Sequence, residues 1–363
     1  MRISDIETPA ILIDLDIMEA NLRKVADYAR RHNLRLRPHT KTHKISALGR
    51  RQVELGAAGL TVAKVGEAEI MATATPDLLV AYPVIGRGKL DRLMNVARQT
   101  AVTVSLDSMA AARPLSDAAR EANVEVGVLV ETDAGMGRVG VPPEQLVDLA
   151  RAVAKLPHLR LQGFAFYPGH IRSFDDEGRD QMRRLSQLVS SLVQQFKSAD
   201  LPVNVVSGGS TPTLYHSHEV DGLNEIRPGT YIFNDRNTVE GGGCLWDDCA
   251  AQIVATVVST PREGHMVIDG GSKTFSSDRL GSTGEATFGL LREAPGAVFH
   301  KMNEEHGYID LRRAERTDFQ VGERVHLIPN HICVAMNLHE QVYGVRKGEV
   351  EQIWKVEARG KLQ

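Results

Sequence analysis

The sequence is poor in cysteine and has no long apolar run, and each shortage excludes a class of protein. Three cysteines among 363 residues cannot build a disulfide framework, and an odd number fits a reducing compartment. No apolar run approaches the roughly 20 residues that a membrane-spanning helix needs. The N-terminal residues include early acids and do not resemble a signal peptide. We therefore expect a cytoplasmic protein without a membrane partner.

An excess of charge of one sign is also missing. The formal net charge is −3, with 43 basic and 46 acidic side chains. We expect no nucleic-acid partner, because such proteins usually carry a strongly basic patch or tail. The hydrophobic content of 42% is typical of a globular protein, and the chain is long enough for two domains.

Strand-like and helix-like segments alternate through the first two thirds of the chain. Eight strands are predicted, at residues 34–39, 59–62, 78–84, 102–106, 124–131, 161–167, 203–207 and 225–233. This alternation predicts an α/β protein with a (β/α)8 TIM-type barrel. A doubly wound sheet is the alternative, but the first strand–helix turn lacks a glycine fingerprint and eight strands favour closure.

The later part of the chain has a different pattern. Strand-like runs at residues 251–259, 265–269, 324–328, 341–345 and 350–356 have no long helical stripe between them. Lys347-Gly348 lies where a hairpin turn is expected. We predict a barrel over residues 12–238 and a mostly β domain over residues 239–363, which the N-terminal segment 1–11 joins.

The segment from Arg37 to Lys44 is unusually basic for a barrel strand. If it is a strand, alternation places His39, Lys41 and His43 on one face. These polar groups would need partners in a core, so the mouth of a barrel suits them better. A lysine desolvated there can form a Schiff base with pyridoxal phosphate (PLP) or a carbonyl substrate. A basic surface strand is the alternative.

Glycine and hydroxyl residues follow the last two predicted barrel strands. The two clusters are Ser207, Gly208, Gly209, Ser210 and Thr211, and then Arg227, Pro228, Gly229 and Thr230. Successive backbone N–H groups at such turns can hold a phosphate, and the last two strand ends of these barrels commonly do so. Ordinary serine–glycine turns are the alternative.

Two further groups are candidates for a site. His331 and Cys333 are two residues apart, on one face if the segment is a strand, and this pair suits a soft divalent metal such as zinc. A coincidental pair is the alternative. Arg138 is the second candidate. It ends the sequence Gly-Met-Gly-Arg at the end of another predicted strand, and the alternative is an arginine in a solvent-exposed turn. Cys244 and Cys249 have no partners to complete a metal site and are read as ordinary cysteines.

Taken together, these motifs resemble the fold-type III PLP enzymes, of which alanine racemase is the best known. The segments around Lys41 and His331 resemble, more narrowly, the D-threonine aldolase and D-serine dehydratase family. The resemblance extends from about residue 5 to the C-terminus. It implies a homodimer that acts on a small D-amino acid.

The resemblance also implies a role for each matching residue. Lys41 would carry PLP, Arg138 would lie near its phenolic oxygen, and Tyr167 would lie beside it. The phosphate would be bound by Ser207, Gly208, Gly209, Ser210, Thr211, Gly229 and Thr230. Arg227 would face the pyridine nitrogen, which weakens the ring as an electron sink. His331 and Cys333 would bind a divalent metal, with zinc favoured over manganese.

Two lyase reactions are compatible with this set of residues. Dehydration of a D-3-hydroxy amino acid gives a keto acid and ammonia, whereas aldol cleavage gives glycine and an aldehyde. Aldolases of the family pair the metal-binding histidine with an aspartate, so Cys333 favours dehydration of the D-serine dehydratase type. A metal-free racemase and a non-catalytic PLP-binding protein are further alternatives, and the metal pair argues against both.

The assignment of Lys41 can be tested directly. The purified protein should be yellow, and borohydride reduction should fix PLP covalently to Lys41, as read by peptide mapping. Label on Lys44 instead would contradict the assignment.

Overall fold

The computed structural model describes residues 1–260, 262–280 and 287–363. The strands are β1 (Ala10–Asp14), β2 (Arg35–Leu36), β3 (Leu60–Val62), β4 (Asp77–Val80), β5 (Ala101–Leu106), β6 (Val126–Glu131), β7 (Leu159–Ala165), β8 (Val205–Gly208), β9 (Glu225–Ile226), β10 (Ala251–Ser259), β11 (His265–Ile268), β12 (Gly289–Leu291), β13 (Val298–Met302), β14 (Gly307–Asp310), β15 (Arg324–Pro329), β16 (Gln341–Arg346) and β17 (Glu349–Lys355). The helices are α1 (Leu15–Arg31), α2 (Ser46–Glu54), α3 (Val65–Met71), α4 (Arg87–Ala97), α5 (Met109–Ala122), α6 (Leu146–Val153), α7 (Asp176–Ser198), α8 (Arg236–Glu240), α9 (Ser272–Phe275) and α10 (Ile332–Leu338).

The chain forms two compact units that interleave along the sequence. The barrel unit comprises Arg23–Lys41, Ile45–Gly229 and Gly360–Gln363, and the β unit comprises Met1–Leu22, Thr42–Lys44 and Thr230–Arg359. The predicted domain boundaries at residues 12–238 and 239–363, with 1–11, stay a prediction. Among the residues that the structure describes, no helix has both the length and the apolar character needed to cross a bilayer.

The barrel unit contains eight parallel strands in the order β2-β9-β8-β7-β6-β5-β4-β3. Its strands read as nearly continuous apolar runs, as expected when helices cover one face of a parallel sheet and the barrel core fills the other. All six residues of β6 are buried. The segment after β2 then reaches β3, where Thr40 N donates to Thr61 O and Thr61 N donates to Pro38 O, both at 2.8 Å. This contact closes the sheet, so the predicted (β/α)8 barrel is confirmed.

The prediction of one basic strand from Arg37 to Lys44 is wrong. Regular strand geometry covers only β2, and the chain turns after Thr40. Pro38 has no N–H for a ladder, and Lys44 adopts the left-handed region with φ of +57°. His39, Lys41 and His43 therefore do not share one strand face. His43 is fully buried, whereas His39 and Lys41 are partly exposed.

A buried arginine ties the first strand to the rest of the barrel. Arg37 Nε donates to Glu225 Oε2 at 2.9 Å, and its two terminal nitrogens donate to the Asp77 carboxylate, each at 2.9 Å. The side chains of Arg37 and Glu225 are 5% and 1% exposed, so both charges depend on each other for solvation. Glu225 starts β9 and Asp77 starts β4, so one guanidinium joins three parts of the closed sheet.

The β unit is built on a branched, mostly antiparallel sheet, which confirms the predicted mostly β architecture. Its main order is β13-β14-β11-β10-β1-β16-β17, with β15 pairing to both β10 and β12. Strand β1 pairs parallel to β16 and antiparallel to β10. The predicted hairpin turn joins β16 and β17, where Lys347 and Gly348 have φ of +50° and +81°, as a type I′ turn requires.

Seven helices and strands of the described residues were not predicted, namely α2, α8, α9, α10, β12, β13 and β14. Helix α2 has a short apolar stripe that is interrupted by Gly49 and several charged residues. The three strands are short, and β13 has polar residues at two neighbouring positions that obscure the alternation of a strand.

Arg37→Met should lower the free energy of unfolding by about 3–5 kcal/mol, because it leaves the Glu225 carboxylate buried without its main partner. The matched control is Arg35→Met, since Arg35 lies 3.6 Å from the same carboxylate but is 42% exposed. That change should cost under about 1 kcal/mol. Urea unfolding followed by circular dichroism measures both. Equal losses in the two variants would show that the buried pair does not stabilise the barrel.

Candidate functional site

The two lysines of the basic segment have different environments. Lys44 is 5% exposed, and its Nζ donates to the carbonyl oxygen of Ala358 at 3.4 Å. Lys41 is partly exposed, and its backbone N–H donates to His39 Nδ1 at 3.3 Å. The engaged amine of Lys44 is poorly placed to attack a carbonyl, so the geometry favours Lys41 for covalent chemistry.

The loop after β8 has two glycines, so no side chain covers its backbone at these positions. A Cβ on Gly208 would lie 2.3 Å from the ring of Phe166, and Gly209 has φ of +84°, which a side chain strongly disfavours. Ser210 and Thr211 follow and are buried. Ser210 is held in place, since its N–H donates to Thr213 Oγ1 at 3.1 Å. Backbone N–H groups flanked by two hydroxyls are a donor set that fits a phosphate.

Ser207 and Arg227 take part in hydrogen bonds inside the barrel unit. The hydroxyl of Ser207 donates to Glu225 Oε1 at 2.8 Å and accepts from Arg227 Nη1 at 3.2 Å. Arg227 Nη2 donates to the carbonyl oxygen of Phe166 at 2.9 Å. Burial lowers the pKa of Arg227, although Glu131 and Glu225 oppose this shift. The side chain of Ser207 is thus already engaged, and its carbonyl oxygen accepts the N–H of Phe166 at 3.0 Å.

The loops after β6 and β7 bring together two of the predicted residues. The guanidinium of Arg138 lies 4.7 Å from the ring centroid of Tyr167. The loop that carries Arg138 wraps around the Asp133 carboxylate, which accepts the N–H of Met136 at 2.8 Å and that of Gly137 at 2.9 Å. Nearby, His170 Nδ1 is buried and has no hydrogen-bond partner among the described residues. An unsatisfied ring nitrogen of this kind fits a pocket that a polar ligand completes.

His331 and Cys333 lie at the start of a helix, so the prediction that they share a strand face is wrong. His331 is the N-cap of α10, and Cys333 lies in its first turn. The helix starts here because Asp235 Oδ2 accepts the N–H of Ile332 at 3.1 Å. Short apolar runs such as Ile332–Leu338 do not distinguish helix from strand by their pattern, which explains the error.

Polar side chains of the β unit surround this pair. Thr42 Oγ1 lies 3.1 Å from Cys333 Sγ, and Thr230 Oγ1 lies 3.6 Å from the same sulfur. His331 Nδ1 lies 3.1 Å from Asp235 Oδ2. The neighbouring Cys333 thiolate, opposed by burial and assisted by Asp235, raises the pKa of His331 to about 11. Imidazole and thiolate thus interact directly, as two ligands of one metal ion would.

The pair offers two protein ligands for a metal. Within residues 1–260, 262–280 and 287–363, no group of three or more histidine, cysteine, aspartate or glutamate side chains is arranged around a metal position. A structural zinc site needs four protein ligands, whereas a catalytic site keeps positions open for water or substrate. The donor set of His331 and Cys333 therefore fits an open site and not a structural one.

Sequence reasoning missed Asp235, which lies 96 residues before His331. The only local signal is an aspartate before the short helix α8, which predicts an N-cap but no contact with His331.

Cys244 and Cys249 contact each other. The hydrogen bond with Cys244, together with burial, raises the pKa of Cys249, so this thiol is expected to be unreactive.

Comparisons with known proteins agree along the whole chain. Residues 13–237 match the alanine racemase N-terminal domain, and residues 250–345 match a serine dehydratase domain. The chain is 31% identical to a D-threonine aldolase from Arthrobacter sp, over 98% of this chain and 93% of the aldolase. The crystal structure of D-threonine aldolase from Filomicrobium marinum matches with a TM-score of 0.94 at 32% identity, covering 100% of this chain and 98% of that one. D-threo-3-hydroxyaspartate dehydratase from Delftia sp. HT23 matches with a TM-score of 0.88 at 28% identity, covering 98% of both chains.

Gly209→Ala should weaken PLP retention, because a side chain forces the loop out of the φ of +84° that shapes it. The matched control is Gly56→Ala, since Gly56 has φ of +100° and open space around its Cβ position. Both variants should lose about 1–2 kcal/mol of folding free energy, the usual cost of a left-handed residue. Only Gly209→Ala should release PLP on dialysis, as read by its visible absorbance. Equal PLP retention in both variants would count against the loop as the phosphate site.

Proposed function

The chain belongs to the family of PLP-dependent lyases that join an alanine racemase N-terminal domain to a serine dehydratase domain, and we propose that it dehydrates D-3-hydroxy amino acids with the help of a divalent metal. The observation that carries the proposal is the pair of His331 and Cys333, with hydrogen-bonding side chains around both ligands.

In this proposal, Lys41 and the loops after β6, β7, β8 and β9 hold the cofactor. Lys41 would be its point of covalent attachment, and Arg138, Tyr167 and Arg227 would contact its ring. The phosphate would be bound by Ser207, Gly208, Gly209, Ser210, Thr211, Gly229 and Thr230. When bound, PLP supplies an electron sink for a negative charge at the α-carbon. The amine of Lys41, once exchanged for that of the substrate, takes the α-proton as a general base.

His331 and Cys333 would bind the metal, with zinc favoured by the combination of imidazole and thiolate. When bound, the metal supplies a Lewis acid for the oxygen on the β-carbon of the substrate. Loss of the α-proton and of this hydroxyl group removes water, and hydrolysis of the product then gives a keto acid and ammonia.

A relative supports the assignment of the metal pair. Solved structures of D-threo-3-hydroxyaspartate dehydratase include a variant with a histidine replaced by alanine and another with a cysteine two positions later replaced by alanine. The structure of the cysteine variant is of a metal-free form. The spacing of those two positions equals that of His331 and Cys333 in this chain.

Aldol cleavage is the second candidate function. It would use the same residues, but a proton would leave the β-hydroxyl, the Cα–Cβ bond would break, and glycine and an aldehyde would form. The observation in its favour is the match to the Filomicrobium D-threonine aldolase over 100% of this chain with a TM-score of 0.94. The thiolate at position 333 supports dehydration instead.

The proposal is tested with Cys333→Ala and a panel of D-3-hydroxy amino acids, reading both keto acid and aldehyde. Turnover should fall about 100-fold, equivalent to about 3 kcal/mol of lost Lewis-acid stabilisation. The PLP absorbance should be retained, because Cys333 is not one of the residues proposed to bind the cofactor. Cys333→Asp should keep a metal and shift the products toward aldehyde.

The matched control is Cys244→Ala, a partly exposed free cysteine of the same unit, and it should keep full turnover. Treatment with a chelator should reproduce the loss in the wild-type protein, and added zinc should restore it. If neither chelation nor Cys333→Ala lowers lyase turnover, the metal mechanism is wrong and a racemase-like, metal-free site becomes the better account.

A further inference from the structure

We propose that Asp235 is a positioning residue that fixes the tautomer and orientation of His331 for metal binding. This inference rests on the proposed function, because it assigns Asp235 a role toward the metal that His331 and Cys333 would hold.

The contacts of Asp235 show how firmly its carboxylate is held. Oδ2 lies 3.1 Å from His331 Nδ1 and accepts the N–H of Ile332 at 3.1 Å. Oδ1 accepts the N–H of Thr238 at 3.0 Å and its hydroxyl at 2.8 Å. Asp235 is 0% exposed, so no water competes for these oxygens. The carboxylate is therefore a rigid acceptor with a fixed direction toward the imidazole.

This geometry determines which ring nitrogen can bind a metal. An ionised carboxylate only accepts hydrogen bonds, so the proton of a neutral His331 lies on Nδ1 and the lone pair on Nε2. Nδ1 is occupied by Asp235, so Nε2 is the ring nitrogen left to bind a metal. Metal-binding histidines commonly have such a carboxylate partner, which holds the ring and raises its basicity.

Asp235 also has a structural role that any test must separate from positioning. Its Oδ1 caps α8, while its Oδ2 contacts the start of α10. Asp235→Asn keeps the shape but has one acceptor oxygen instead of two. The amide either faces Thr238 with its oxygen and His331 with its NH2 group, which imposes the wrong tautomer, or it loses the cap of α8.

In the experiment, Co2+ is added to the metal-free, PLP-loaded protein, and the thiolate-to-cobalt absorption is followed. The zinc affinity is measured separately, by competition with a chromophoric chelator. Asp235→Asn should bind both metals about 10- to 100-fold more weakly than the wild type. The matched variant is Thr238→Val, which removes one hydrogen bond to Oδ1 and leaves the contact with His331 intact. Its metal affinity should stay within about threefold of the wild type, while its thermal stability falls because the buried Oδ1 loses one hydrogen bond.

The outcomes distinguish a failure of the proposed metal pair from a failure of the positioning role of Asp235. If the wild-type protein binds Co2+ without a thiolate absorption, the metal pair itself is wrong and the proposed function fails with it. If the wild type shows the absorption but Asp235→Asn keeps full affinity, only the positioning role of Asp235 fails. Equal weakening in Thr238→Val would also overturn it, because the effect would then come from the hydrogen bonding of Oδ1 and not from the contact of Oδ2 with His331.

A measurement on the wild-type protein covers the case in which Asp235→Asn does not fold. Long-range 15N–1H correlation of the zinc-loaded protein should show His331 protonated at Nδ1, with its signal assigned by its loss in His331→Gln. A His331 ring that carries its proton on Nε2 would overturn the proposal, since Asp235 could then not be its acceptor.

Discussion

The buried ion pair between Arg37 and Glu225 is the constraint on which the barrel closure depends. Strand β2 has only two residues, and the segment after it must pair with β9 on one side and β3 on the other. Few backbone hydrogen bonds are available for this, including Arg37 N to Ile226 O and His39 N to Pro228 O, both at 2.9 Å. The guanidinium adds a charged link to β9 and to one further strand, β4, where few backbone hydrogen bonds are made.

The same segment leads directly into the proposed chemistry. Lys41 follows Thr40, which bonds to β3, and precedes Thr42, whose hydroxyl contacts Cys333 Sγ at 3.1 Å. Backbone hydrogen bonding to β3 therefore fixes the chain immediately before Lys41. A lysine held in this way is suited to covalent catalysis, which requires the reacting amine in a fixed place.

Much of the fold was predictable because long periodic segments carry strong signals. The eight barrel strands and the Lys347-Gly348 turn follow from the apolar period and the turn chemistry of the sequence. The helix at His331 was not predictable, because a carboxylate 96 residues away decides it. The contact of Asp235 with His331 was not predictable for the same reason, because the two residues are far apart in the sequence. Side-chain contacts between remote segments leave no local pattern, so the sequence could indicate His331 and Cys333 but not what orients them.

The central claim is that one nitrogen and one sulfur of this chain bind the catalytic metal, and X-ray absorption at the zinc edge tests it most directly. The zinc-loaded protein should show a single sulfur neighbour at about 2.3 Å and nitrogen or oxygen neighbours at about 2.0–2.1 Å. The sulfur shell should disappear in Cys333→Ala. A spectrum of the wild-type protein with nitrogen and oxygen neighbours alone would contradict the account.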